Sequence, residues 1–175
     1  MATLKLGTTT AITESGGVLT IPNITFPAGH VIQTAWGTKT GEDSTSMSSA
    51  TFTKVVDSSG NNEWGADITG VVAGNDVIVS ATWVSYITPN AANQGGSWGF
   101  FRGSTAIFQH TSGHANFQTN NDLWYENMTI QHLDINPGAG SHSYYLGCRK
   151  YGGSATLQVN SNLMPMHMCL QEIQR

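Results

Sequence analysis

His110 and His114 stand four residues apart in the run H-T-S-G-H, with Asp122 and His132 downstream. These side-chain types bind transition metals. Two imidazoles at that spacing share a face only on a helix, and Ser112-Gly113 between them marks a loop, so no metal site is read here. A threefold assembly would bring three copies of one histidine around its axis. His167, on the last apolar segment, is the residue placed for that role, the other reading being a satisfied core or interface histidine. The serines include no G-x-S-x-G turn between a strand and a helix, and none has an evident base and orienting acid. Glu63, Asp67, Asp122, Glu126 and Asp134 are the carboxylates for a glycosidase-type pair, but they are scattered among turns and read as solvated. No Gly-rich loop opens a helix to cradle phosphate. The expectation is a protein without catalytic residues, cofactor or metal.

Composition narrows the remaining classes. The chain has 175 residues, of which 10% are charged, with a net charge of -4. That length suits one domain with a real core. The charge balance leaves no basic stripe for phosphates, so nucleic acid is not expected as a partner. Glycine, serine, threonine and asparagine are abundant, yet 39% of residues are apolar, with five Trp, five Tyr and six Phe, which argues for a packed core over disorder. Cys148 and Cys169 form no C-x-x-C, and free thiols are expected. The start MATLKLGTTT has no basic-then-apolar leader, and no window is apolar enough to cross a membrane. A product kept in the cytoplasm of the cell that translates it, with no membrane partner, is the expectation.

The elements follow from periodicity. Asp76 to Ile87 is rich in Val, Ile, Thr, Trp and Tyr without internal Pro or Gly, and reads as a long central strand. Parity puts Val77, Val79, Ala81, Trp83 and Ile87 on a core face, and Ile78, Ser80, Thr82, Val84 and Tyr86 on a mixed face that needs a neighbour of its own. His30 to Trp36 and Ala50 to Val56 are further strands, read as an antiparallel pair. SWGFFRG and STAIFQH are two short strands, or one strand broken at Gly103, and Trp124–Ile135, Ser143–Tyr151 and Ala155–Val159 continue the series. The last strand carries Met164, Met166, Met168 and Leu170 on one face, and so apolar a strand belongs inside a sheet. Residues 1–28 hold Leu4, Leu6, Ile12, Val18, Leu19 and Ile21 without helical period, and Pro22 and Pro27 keep the backbone extended. This reads as an extended N-terminal arm before a single domain over 29–175. Eight to ten short strands with almost no helix make an all-β sandwich, and a jelly roll suits the count.

Three segments resemble a known group: TFPAGHVIQT at 25–34, GFFRGSTAIFQ at 99–109 and the closing MHMCLQEI at 166–173. They are similar to small virion structural proteins of tailed bacteriophages, marine and cyanobacterial phages above all, in which a short arm precedes a jelly-roll domain like the heads of tumour necrosis factor and complement C1q. The resemblance implies a homotrimer, made in the host bacterial cytoplasm and carried on the virion, with the major capsid protein or other virion proteins as partners. The short arm departs from the long extensions of fibre proteins and points to a capsid decoration or cement protein, with residues 1–28 contacting the particle.

Candidate trimer-interface residues are Val84, Tyr86, Phe101, Arg102, Tyr145, Tyr151 and His167, aromatic side chains being enriched in desolvated interfaces. Arg102, a charge inside an aromatic strand, is expected to pair with a carboxylate across the sheet or the interface. The alternative is a tail-fibre or appendage tip knob binding a host-surface glycan, with Asn116, Gln118, Asn120, Asn121 and Trp124 as contacts. Exposed rings flanked by amides would favour it.

Overall fold

A computed structural model describes the chain apart from residues 1, 7–8, 16–17, 21–26, 42, 45–46, 89–93, 111–114, 118–123, 152–155 and 160–163. Among the described residues there is no helix, and the main body is two antiparallel sheets packed face to face.

The first sheet holds β4 (Val31–Lys39), β14 (Met166–Ile173), β7 (Asp76–Thr88) and β11 (Trp124–Asp134) in that order, with β13 (Thr156–Val159) also pairing β7. The second is centred on β8 (Gln94–Arg102) and β12 (Gly140–Tyr151). There β9 (Thr105–Gln109) and β10 (Ala115–Phe117) pair with β8, while β5 (Thr53–Lys54) and β6 (Gly65–Val71) pair with β12. From β4 to β14 the chain changes sheet at six of ten connections and stays within one sheet at β5–β6, β8–β9, β9–β10 and β13–β14. In the hairpin from β8 to β9, Gly103 takes a left-handed φ of 55° and tolerates it without a Cβ. β4 does not pair with the Ala50–Val56 segment. Its neighbour is β14, and the intervening loop carries β5 across to the other sheet.

The long strand reads as expected. Val77, Val79, Ala81 and Trp83 of β7 are buried, while Ile78, Ser80, Thr82 and Tyr86 alternate as half-buried. The Met166, Met168 and Leu170 face of β14 is buried too, and β14 lies between β4 and β7. An edge position would have left that row of methionines as a template for aggregation. Rings from both sheets meet in the middle: Trp83 lies 4.9 Å from Trp98, and Phe108 stacks on His132 at 5.0 Å. Burying such rings is the largest single source of core stability.

The N-terminal segment is extended in its backbone, and its strands pair with one another. β1 (Ala2–Leu6), β2 (Thr9–Ser15) and β3 (Val18–Thr20) make a three-stranded antiparallel meander, with Leu4 opposite Ile12. The side chains of Leu4, Leu6, Ile12, Val18 and Leu19, and Ile21 entirely, lie outside the described residues.

Candidate functional site

Chemistry on this fold has to come from the sandwich interior, its ends or its two outer faces. The interior holds a polar cluster between the sheets. Arg102 Nη1 donates to both carboxylate oxygens of Asp134, at 2.9 and 2.7 Å, and the Tyr144 hydroxyl donates to Oδ2 at 2.8 Å. The partner expected for Arg102 is thus a residue of the same chain on the facing sheet. Burial, with the Asp134 carboxylate adding to it, holds the Tyr144 hydroxyl far above its ordinary range. Burial lowers the His132 imidazole, partly opposed by Asp134. Arg102 and Tyr144 of one sheet both bond Asp134 of the other, so the cluster is a fastening between sheets.

A second fastening involves Glu172, which is buried on the inner side of β14. It accepts from Gln33 Nε2 at 2.6 Å, the Val72 N–H at 2.8 Å and Asn75 Nδ2 at 2.6 Å. Burial pushes its carboxyl up, but the bonds from Val72, Asn75 and Gln33 outweigh this and leave it below the ordinary glutamate range.

The outer face of the β4–β14–β7–β11 sheet is the most distinctive surface. Alternation and register place Thr34, Trp36 and Thr38 of β4 beside Gln171, Cys169 and His167 of β14. These continue into Ile78, Ser80, Thr82, Val84 and Tyr86 of β7, then Leu133, Gln131, Thr129, Asn127 and Tyr125 of β11. No Asp, Glu, Lys or Arg stands among them. Of the sheet's carboxylates, Glu172 and Asp134 point inward, and Asp76 stands at the start of β7 on the parity of Ile78, paired with Arg175 at 3.7 Å. Trp36 is 67% exposed, Tyr125 49% and Leu133 44%. Tyr86 and Tyr125 pair across the strands at 5.1 Å, and Val84 beside them is buried.

The interface candidates sort onto different surfaces. Val84, Tyr86 and His167 belong to this face. Phe101 and Tyr145 are opposite each other on the outer face of the second sheet, where Phe52 stacks on Phe101 at 4.8 Å and Lys54 Nζ sits 4.0 Å from the Tyr145 ring. Arg102 is committed to Asp134, and the Tyr151 side chain lies outside the described residues. Sequence reasoning offered Trp36, Trp64 and Trp98 alike as exposed rings, and of these Trp36 is exposed while Trp64 and Trp98 are buried; it missed Tyr125 as a surface ring. Gln118, Asn120 and Asn121, and the side chains of Asn116 and Trp124, lie outside the described residues, as do His114 and Asp122. Glu63 is taken by Lys54 at 2.7 Å. Among the described residues no group of three or more His, Cys, Asp and Glu converges to hold a metal ion. Cys148 is a buried free thiol pushed up by burial, and Cys169 is a free thiol on the outer face.

No family model matches the chain, and no curated protein matches it. Among solved structures it is similar to dimeric latent PorU from Porphyromonas gingivalis, with a TM-score of 0.41 and 9% identity over 84% of this chain and 13% of that one. It is also similar to a structure of infectious bursal disease virus, Gx strain, with a TM-score of 0.35 and 10% identity over 93% of this chain and 42% of that one. A third likeness is to the CBM22-1 xylan-binding domain of Paenibacillus barcinonensis Xyn10C, with a TM-score of 0.25 and 10% identity over 86% of this chain and 99% of that one. The chain spans well under two thirds of the first two. At such TM-scores none of these likenesses carries an argument about function.

Proposed function

We propose that the chain is a structural component of a tailed-phage particle, a homotrimer of jelly-roll domains that decorates or cements the capsid. The observation that carries this reading is the outer face of the β4–β14–β7–β11 sheet, uncharged along β7 from Ile78 to Tyr86, with the Tyr86–Tyr125 pair open at one end. Loss of charge together with gain of aromatic side chains is the composition of an interface centre, and solvent alone gives no reason to keep ionised groups off the middle of a sheet face. Val84, Tyr86 and Tyr125 form the centre of the proposed contact. The alternation of strands between sheets, with β14 closing the middle of one, supports the jelly-roll reading. The three segments resembling phage virion proteins support its place on a particle.

In this reading the trimer sits across junctions between capsid subunits, and the N-terminal segment lies along them, adding contacts that favour the assembled shell. Deleting residues 1–24 is expected to leave a folded trimer by sedimentation that no longer binds particles; retained binding would refute the role given to that segment. The alternative, a tip knob holding a glycan around Asn116–Trp124, would be favoured by particles that lose this chain without losing capsid stability.

A further inference from the structure

Of the described tryptophans, Trp64, Trp83 and Trp98 are fully buried, whereas Trp36 is 67% exposed. It stands on the edge strand β4 beside an open groove of about 340 Å³ lined with Ser80, Ala81, Thr82, His167, Cys169 and Gln171. Register puts it level with Cys169, Ser80 and Gln131. The Tyr86–Tyr125 pair lies six residues further along β7, about 20 Å away. The groove is therefore separate from the proposed centre of self-contact.

Its lining alternates one flat ring with neutral hydrogen-bonding groups. The Thr38 hydroxyl meets His167 Nδ1 at 3.2 Å, which fixes the imidazole and leaves Nε2 as its other polar atom. The Gln171 amide makes no side-chain hydrogen bond among the described residues. The Ser80 hydroxyl donates to the Cys169 carbonyl at 3.4 Å and Thr82 Oγ1 meets Thr129 Oγ1 at 3.1 Å, and each oxygen keeps a lone pair to accept from a ligand. A ligand matching this surface has an apolar C–H face for the indole, whose negative π-face attracts it, and a rim of uncharged donors and acceptors. With no ionised group in the lining, a carboxylated or phosphorylated ligand would lose its hydration without compensation.

We infer that the Trp36 groove binds a neutral saccharide, one pyranose ring stacking on the indole and its hydroxyls meeting Ser80, Thr82, His167 and Gln171. This site is distinct from the Asn116–Trp124 region and does not depend on where a particle carries the chain.

The test uses the full chain on an array of neutral and acidic oligosaccharides, followed by calorimetric titration with the strongest neutral hit. Neutral glycans are expected to bind and acidic ones not. Trp36→Ala is expected to weaken binding at least tenfold, while Trp36→Tyr retains most of it. Both variants should keep the wild-type sedimentation coefficient and melting temperature. Absence of any neutral hit, or equal affinity of Trp36→Ala and wild type, overturns the inference. So does a Trp36→Ala chain that loses its oligomeric state, since the ring would then belong to self-contact. Tyr86→Ser/Tyr125→Ser should leave saccharide affinity unchanged, which separates failure here from failure of the trimer.

Discussion

The two outer faces of the sandwich carry aromatic side chains in similar number and treat them in opposite ways. On the β8–β12 side, Phe101 is covered by Phe52, the two rings nearly parallel at 12° over Gly147, and Tyr145 is covered by Lys54, which Glu63 holds in place. A Cβ on Gly147 would come within 2.5 Å of the Phe52 ring, so the stack exists because that position has no side chain. Lys54, Asp67 and Arg149 give this face its charges. On the β4–β14–β7–β11 side, no segment among the described residues is seen laid over Trp36 or Tyr125, Glu172 and Asp134 are turned inward, and Asp76 stands at the far end of β7 paired with Arg175. A ring folded under its own chain contributes to stability, whereas a ring left bare is available to something else.

The difference is testable first where the effect should be largest. Phe101→Ala removes a buried ring from the covered face and is expected to cost about 3 to 5 kcal/mol in urea unfolding, with no change in subunit association. A loss of association at unchanged stability would mean that Phe101 is an interface residue after all, and the contrast between faces would collapse.

Next comes the inward turn of charge. Glu172→Gln keeps one acceptor but puts an amide among three donors, at an expected cost of about 1 to 3 kcal/mol near neutrality. The pH dependence follows from the sign of the shift. Because the folded state holds the Glu172 carboxyl below its ordinary range, the stability it contributes is present above that range and is lost as pH falls through the depressed folded value. Melting temperatures measured from pH 7 downward should therefore fall in the wild type and fall less in Glu172→Gln. Parallel curves would show that other groups govern acid unfolding.

Much of this architecture was legible from residue order alone, because parity and apolar runs report burial directly. The inward row of β7, the methionine face of β14, its place inside a sheet and the need of Arg102 for a carboxylate all follow from local pattern. What was hidden depends on distant chain. Trp36 and Trp64 both occur as Trp-Gly after a short polar or small run, yet one is exposed and the other fully buried. The cause is the register of two different strands, which no local feature encodes. The fate of Phe101 turned on the loop bearing Phe52 crossing Gly147, a contact between residues nearly a hundred positions apart. Likewise the Thr-rich N-terminal segment carries the mark of extended backbone, but which of its strands pair with one another is a choice of partner that local pattern does not encode.

The smallest expected effect on stability is also the sharpest test of the open face. Tyr86 and Tyr125 touch each other at 5.1 Å and face outward on adjacent strands, so changing both to serine removes partly exposed rings and opens no core cavity. Unfolding free energy should stay within about 1 kcal/mol of wild type. Sedimentation should nevertheless move from a trimer to a monomer, because truncating aromatic anchors at an interface centre removes most of its binding energy. Thr129→Lys, four residues along β11 from Tyr125 and exposed, should act in the same direction by placing like charges opposite one another across a symmetric contact. If both variants sediment as the wild type does, the bare rings have no role in self-contact, and the uncharged middle of the face would have to be explained by its saccharide groove alone.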